Sequence, residues 1–161
     1  MDNYFAIPYT SVIVDYLNDI IYNTDDNSWR LYYNFYAIPI EHDILYKDPI
    51  LAHLMKQTTL HAGILKMLPN TCYNWHIDTE RSVGINMLLS DVNSKCLFSE
   101  NPNSVVSEFE ELVYEPNTYY IFNTQKPHSV LNFEGDRYLF SVEFLGASKS
   151  IGFQNLVSIF S

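Results

Sequence analysis

The chain has 161 residues, of which 47% are hydrophobic and 16% aromatic, and its formal net charge is −10. This size and composition predict one domain with a real core and exclude disorder over most of the chain. The nine Lys and Arg residues are scattered without a basic stripe. That distribution argues against nucleic acid or an anionic membrane as a partner.

The N-terminal stretch MDNYFAIPYT has no basic segment and no long apolar run. We therefore expect neither a signal peptide nor a membrane span. Cys72 and Cys96 have neither disulfide-framework nor zinc spacing, which predicts reduced thiols and a cytoplasmic protein. The composition is typical of an AT-rich genome, such as that of a phage or small bacterium. A virus-encoded protein that acts in the host cytoplasm is one reading of that composition.

The N-terminal third is predicted to be mostly helical. Apolar residues recur at helical spacing over residues 9–21, with Thr10 or Ser11 as the cap. Residues 29–38 are rich in Tyr, Phe and Trp and predict a strand. Residues 48–59 predict a second helix, with Pro49 in its first turn. We expect residues 1–59 to support a β-core at residues 60–145, and residues 146–161 to form a tail that is helical or packed as an extension.

The β-core is predicted from short apolar runs that turn residues separate. The runs are residues 61–68, 72–78, 83–90, 95–99, 108–114, 118–123, 128–133 and 137–144. Strands at this spacing suggest a sandwich or barrel, and this number is that of a jelly roll. In the last run, Tyr138, Phe140, Val142 and Phe144 would face the helices. Its other residues, from Arg137 through Ser141 to Glu143, would face the lumen.

The chemistry is expected at His76, Asp78 and His128. Residues i and i+2 of a strand share a face, so His76 and Asp78 would point into a common space. A third ligand from a distant strand would complete a set of two histidines and one carboxylate. Such a set suits Fe(II) and leaves coordination positions open. Arg137, which opens the last strand, is the rigid cation that could bind a carboxylate with two hydrogen bonds.

Three segments stand out as motifs. They are Asn-Trp-His-Ile-Asp at residues 74–78, Lys-Pro-His-Ser-Val-Leu-Asn at 126–132 and Arg-Tyr-Leu-Phe-Ser at 137–141. Together they resemble the motifs of one enzyme family, the Fe(II)/2-oxoglutarate-dependent oxygenases. The details look most similar to the aspartyl/asparaginyl β-hydroxylase-like branch. The H-x-D form of the first segment departs from some members of that branch, in which another residue replaces the carboxylate.

The resemblance implies a double-stranded β-helix of the jelly-roll or cupin type, with the N-terminal helices packed on one sheet. It also implies Fe(II), 2-oxoglutarate and O2 as cofactors, with ascorbate as a reductant. His76, Asp78 and His128 would be both the metal ligands and the catalytic residues. Arg137 would bind the distal carboxylate of 2-oxoglutarate, with Ser141 as an added donor. The expected reaction hydroxylates an amino-acid or protein side chain and releases succinate and CO2, so the substrate is a small molecule, a peptide or a protein.

The roles of the remaining polar residues are open from the sequence. Arg81 could clamp a carboxylate of 2-oxoglutarate or of the substrate, or be a solvated turn cation. Asn86 could touch the co-substrate in the lumen or bond a neighbouring backbone group, and Ser141 could be a small core residue. Tyr73 and Trp75 are expected to pack outside the lumen.

Two other functions compete with a 2-oxoglutarate oxygenase. A cupin-like metal protein that does not use 2-oxoglutarate would share the three ligands and would not need Arg137. A non-catalytic β-sandwich used for binding would make the constellation coincidental, and iron bound in stoichiometric amount would argue against it. The sequence has no G-x-S-x-G, P-loop or G-x-G-x-x-G motif to support a serine hydrolase, an NTPase or a Rossmann protein.

Overall fold

The computed structural model describes residues 2–90, 92–145 and 151–161 of the chain. Over these residues the protein is mainly β, with two antiparallel sheets and a few short helices. The strands are β1 (Tyr4–Thr10), β2 (Arg30–Tyr32), β3 (Phe35–Pro39), β4 (Leu60–Met67), β5 (Thr71–His76), β6 (Gly84–Leu88), β7 (Ser94–Phe98), β8 (Glu110–Glu111), β9 (Thr118–Phe122), β10 (His128–Asn132) and β11 (Arg137–Phe144). The helices are α1 (Val14–Asn23), α2 (His42–Leu45), α3 (Pro49–Met55) and α4 (Phe153–Phe160).

The eight strands predicted for the core are all present as β4 to β11, and they form a jelly roll. The larger sheet has the order β1-β9-β6-β11-β4-β3-β2, and the smaller sheet has the order β5-β10-β7-β8. Each core strand except β8 therefore has a partner that is distant in sequence, as in a double-stranded β-helix. The expected fold class is confirmed.

The helices cover one face of the larger sheet. Leu17 of α1, Leu51 of α3 and Leu156 of α4 share one buried cluster with Phe140 and Val142 of β11. These residues alternate along β11 with others that line a cavity on the opposite side of the sheet. The alternation that predicted the two faces of this strand is confirmed, because successive side chains of a strand point to opposite faces.

The N-terminal region differs from the prediction in two places. The helix predicted over residues 9–21 begins only at Val14, because residues 4–10 form β1 and pair with β9. Residues 29–38 form a hairpin of β2 and β3, and Tyr33 adopts a left-handed φ of 49° in its turn. β1 lies at one edge of the large sheet, and β3 and β2 lie at the other. Pairing with the distant β9 outweighs helical periodicity at the start of the first segment, and a local turn divides the second segment into two strands.

The helix predicted over residues 48–59 is present as α3, which is shorter. Asp48 caps it by accepting hydrogen bonds from the backbone N–H of Ile50 (3.0 Å) and Leu51 (3.4 Å). The short α2 before it was not predicted. In the tail, α4 is helical as expected, whereas residues 146–150 lie outside the described part of the chain.

The described residues also bear on the expectations about membrane spans and cysteines. Among them, no helix combines the length and apolar character needed to cross a bilayer. Cys72 is exposed and Cys96 is buried, and both are free thiols.

Candidate active site

A cavity of about 780 Å³ opens beside the inner faces of the two sheets. Its walls include the lumen face of β11 together with residues of β4, β5, β6 and β10. All seven residues that the sequence singled out line this cavity. They are His76, Asp78, Arg81, Asn86, His128, Arg137 and Ser141.

His76, Asp78 and His128 form a compact group at the cavity wall. His128 opens β10 and pairs in register with His76 at the end of β5. Asp78 follows two residues later, where its backbone N–H donates to the carbonyl of Thr124 (3.0 Å). Its Oδ1 lies 3.4 Å from His76 Nε2 and 3.7 Å from His128 Nε2. Potential ligand atoms of the three residues lie within 4.8 Å of one another, close enough to share one metal ion.

Both imidazoles are oriented for coordination through Nε2. Nδ1 of His76 lies 2.5 Å from the carbonyl oxygen of Asn74, and Nδ1 of His128 lies 2.8 Å from that of Lys126. A carbonyl oxygen only accepts, so each Nδ1 carries the proton and each Nε2 offers a lone pair. The buried His76 Nε2 has no hydrogen-bond partner among the described residues. A metal ion shared with Asp78 would satisfy this atom, so the donor set fits the expected Fe(II).

The protonation states also suit a divalent cation. Burial lowers the pKa of His128 to about 4. Burial acts to raise the pKa of Asp78, but the contact with His76 and the charge and hydrogen bond of Arg81 outweigh it, and the pKa falls to about 2. At neutral pH His128 is therefore neutral and Asp78 is ionised, which are the forms that bind a metal.

Arg81 makes contacts that neither interpretation of the sequence described. Its Nε donates to Asp78 Oδ2 (2.6 Å), and its Nη1 donates to Ser141 Oγ (3.1 Å). The Arg81 side chain is only 21% exposed, so it is not a solvated turn cation. Its contact is a carboxylate of the protein itself, the candidate metal ligand.

Arg137 is a buried cation without an acidic partner. It is 5% exposed, and its Nε donates to Ser94 Oγ (3.2 Å). Among the residues that the structure describes, no carboxylate lies within ion-pair distance of its guanidinium. Burying an unpaired charge is costly, so this part of the cavity suits an anionic ligand.

Asn86 faces the lumen, and its buried Oδ1 has no hydrogen-bond partner among the described residues. Cys96 and Tyr114 also line the cavity, although the sequence marked neither of them as a site residue. Burial raises the pKa of the Tyr114 hydroxyl, and hydrogen bonds with Asn86 and Arg137 oppose this effect. Tyr114 follows the two-residue strand β8, where no motif or alternation marks it.

The expectation that Tyr73 packs outside the lumen is wrong. Tyr73 lines the cavity, and its ring centroid lies 3.9 Å from that of His76. The cause is an irregularity in pairing, since His128 pairs with His76 while Val130 pairs with Tyr73. Four residues of β5 (73–76) thus lie opposite three of β10 (128–130), and this bulge brings Tyr73 to the side of His76. Trp75 is directed elsewhere and contacts Phe109 at 5.8 Å between ring centroids.

No family model matches the sequence, and no curated protein is similar to it. Solved structures are similar in fold. A prolyl hydroxylase from Trichoplax adhaerens, in complex with a hypoxia-inducible factor peptide, has a TM-score of 0.68 at 12% identity, with 98% of this chain and 88% of that one covered. A prolyl-4-hydroxylase from Pseudomonas putida has a TM-score of 0.64 at 14% identity, with coverages of 88% and 90%.

A third similar structure is SnoN, an α-ketoglutarate-dependent epimerase from nogalamycin biosynthesis. Its TM-score is 0.62 at 14% identity, and the match covers 94% of this chain and 83% of that one. At these identities the likeness shows the fold alone. That fold is shared by enzymes of different reaction outcome, so the function must be argued from the residues of the cavity.

Proposed function

We propose that the protein is an Fe(II)- and 2-oxoglutarate-dependent dioxygenase that hydroxylates an amino-acid or protein side chain. One observation carries the proposal. A cluster of two histidines and one aspartate lies in the same cavity as the buried Arg137, which no carboxylate of the described residues neutralises. The first group suits a metal ion, and the second suits the far end of a dicarboxylate.

In this proposal His76, Asp78 and His128 hold Fe(II). When bound, the iron and 2-oxoglutarate supply the oxidative chemistry with O2, which yields succinate, CO2 and an oxygenated substrate. Arg137 orients 2-oxoglutarate by pairing with its C5 carboxylate, where a guanidinium matches both oxygens. The Asn86 amide lies at the same wall. Apolar side chains of the lining, such as Leu139 and Val130, exclude water from the site.

The substrate would enter beside the β2–β3 hairpin. Tyr32, Tyr33 and Phe35 of this hairpin line the cavity, and Tyr33 and Phe35 contact Tyr73 at centroid distances of 6.0 and 5.5 Å. This aromatic wall suits a side chain presented by an amino acid or a peptide. The Trichoplax enzyme binds a peptide in the same fold. We retain the aspartyl/asparaginyl β-hydroxylase-like branch as the proposed assignment, based on the resemblance of the segments at residues 74–78, 126–132 and 137–141, and action in a reducing cytoplasm.

The test is succinate release from 2-oxoglutarate with Fe(II) and ascorbate, with and without candidate amino acids and peptides. We expect slow release without substrate and none from His76→Ala. His53→Ala is the matched control, because this histidine lies on α3 away from the cavity and contacts Gln57. Metal binding without any turnover of 2-oxoglutarate would favour the cupin-like alternative. Absence of both would favour the non-catalytic sandwich.

A further inference from the structure

The segment that follows the candidate metal ligand Asp78 is held in place by hydrogen bonds from residues 124–125. The carbonyl oxygen of Arg81 accepts from Thr124 Oγ1 (2.8 Å) and from Gln125 Nε2 (2.9 Å). The same Gln125 amide donates to the carbonyl oxygen of Asp78 (3.0 Å). The backbone at both ends of this turn is therefore hydrogen-bonded to residues 124–125, which fixes the backbone position from which the Arg81 side chain extends.

The two oxygens of Asp78 face different partners. Oδ1 faces the imidazole nitrogens of His76 and His128, whereas Oδ2 accepts a short, charge-assisted bond from Arg81 Nε. The guanidinium is itself held by its bond to Ser141 Oγ. A carboxylate without this partner could turn about its Cβ–Cγ bond or offer both oxygens to one cation. With Arg81 in place, only Oδ1 of Asp78 is available to a metal ion.

We propose that Arg81 is a positioning residue that makes Asp78 a one-oxygen ligand and keeps a coordination position open at the metal. This inference rests on the proposed function, and it concerns the metal site rather than the co-substrate. Arg81 therefore acts through Asp78. Ser141 acts as the acceptor that aims the guanidinium, and its hydroxyl hydrogen is left free to donate into the cavity.

Other roles for Arg81 predict different directions of change. If Arg81 acted only through its positive charge, its removal would tighten the binding of a divalent cation, because a like charge would be lost. If Arg81 bound only 2-oxoglutarate, its removal would raise the KM for 2-oxoglutarate and leave metal binding unchanged. A positioning role predicts weaker metal binding and an altered coordination geometry, despite the loss of the repelling charge.

The experiment titrates the whole protein with Co(II) in the absence of 2-oxoglutarate and records the visible absorption of the bound ion. For Arg81→Gln we expect a Kd for Co(II) that is roughly 10- to 100-fold higher, as for other residues that orient metal ligands, and a changed spectrum. Arg81→Lys should recover part of the affinity. Lys56→Gln, which removes an equal charge from the exposed end of α3 and away from the cavity, should leave the Co(II) affinity and spectrum unchanged.

Two variants test the same contact without replacing Arg81. Ser141→Ala removes the acceptor of Nη1. Gly84→Ala places a Cβ 3.1 Å from Nη1 and 3.3 Å from the Val142 carbonyl oxygen, which displaces the guanidinium by a few tenths of an ångström. Both should shift the Co(II) spectrum toward that of Arg81→Gln. They also keep the proposal testable if Arg81→Gln does not fold.

The outcomes separate this proposal from the proposed function. If the wild-type protein binds no Co(II), both fail. If the wild type binds Co(II) and Arg81→Gln binds it as tightly or more tightly with the same spectrum, the positioning role alone is overturned. Unchanged spectra in all of the Arg81, Ser141 and Gly84 variants would overturn it in the same way.

Discussion

The guanidinium of Arg137, which has no acidic partner among the described residues, gives the sharpest test of the proposed co-substrate site. In Arg137→Met the side chain keeps much of its length and loses its charge. Truncating one partner of a buried charge pair costs about 2–5 kcal/mol. We therefore expect the Kd for 2-oxoglutarate to rise roughly 30- to 5,000-fold, since about 1.4 kcal/mol corresponds to a factor of ten. Because Arg137 is 5% exposed, little of this effect should be lost to solvent screening.

The assay is a thermodynamic cycle on the Fe(II)-loaded protein without O2. Kd is measured for 2-oxoglutarate and for 2-oxobutyrate, which carries the same keto acid and lacks the distal carboxylate. The wild type should strongly prefer 2-oxoglutarate, whereas Arg137→Met should bind the two ligands about equally. Weakening of both ligands to the same degree would mean that the substitution damages the site in general. Retention of the preference would refute the pairing of Arg137 with the C5 carboxylate.

Three further predictions concern stability and metal binding. Asp48→Ala removes the cap of α3 and the acceptor for Tyr119 Oη (2.8 Å), so the free energy of unfolding in urea should fall by about 3 kcal/mol, and Asp48→Asn should recover part of it. Gly63→Ala places a Cβ 2.9 Å from the carbonyl oxygen of Ile38, so it should cost about 1–3 kcal/mol in the same assay and speed amide exchange in β3. His76→Ala should abolish stoichiometric Fe(II) binding in an anaerobic titration while far-ultraviolet circular dichroism stays unchanged.

The core fold could be predicted from the sequence because its strands are amphipathic and separated by turn residues. The alternation along β11 predicted Phe140 in the apolar core and Ser141 in the cavity wall, where the structure has them. The sequence could not predict β1, because its pairing with β9 joins residues more than a hundred positions apart. Where the alternation is interrupted, the prediction failed, and Tyr73 is the example, since a bulge is not visible in a single sequence.

The sequence predicted which side chains come together at the cavity wall, but it did not predict their contacts. The clustering of His76, Asp78 and His128 was predicted from strand spacing together with the family resemblance. The hydrogen bond from Arg81 to Asp78 could not be predicted. Whether two residues three apart in a turn meet depends on the geometry of the turn, which the sequence does not give. Tyr114 was missed for a related reason. Its position is set by the tertiary packing of a segment whose only regular structure is the two-residue strand β8.

The buried thiol of Cys96 makes stability depend on pH in the alkaline range. Burial raises its pKa from 9.0 to about 11, with Arg137 acting in the opposite direction. The unfolded chain therefore releases this proton at lower pH than the folded protein. The contribution of the thiol to the free energy of unfolding is complete below pH 9 and is lost as pH rises toward 11. At pH 10.5 the loss is about 2 kcal/mol relative to pH 8.

This contribution can be isolated by comparing urea unfolding of the protein with Cys96 and with Cys96→Ala at the two pH values. Tyr119, whose pKa is also raised by burial, adds to the alkaline loss in both proteins and cancels in the comparison. Tyr114 is replaced by Phe in both proteins, because its hydroxyl interacts with the Cys96 thiol. Any packing defect of the alanine variant cancels as well, because it is the same at both pH values. The protein with Cys96 should lose about 2 kcal/mol more than Cys96→Ala between pH 8 and 10.5. Equal losses would mean that the thiol ionises as easily in the folded protein as in the unfolded chain, and that water reaches the cavity wall around Arg137.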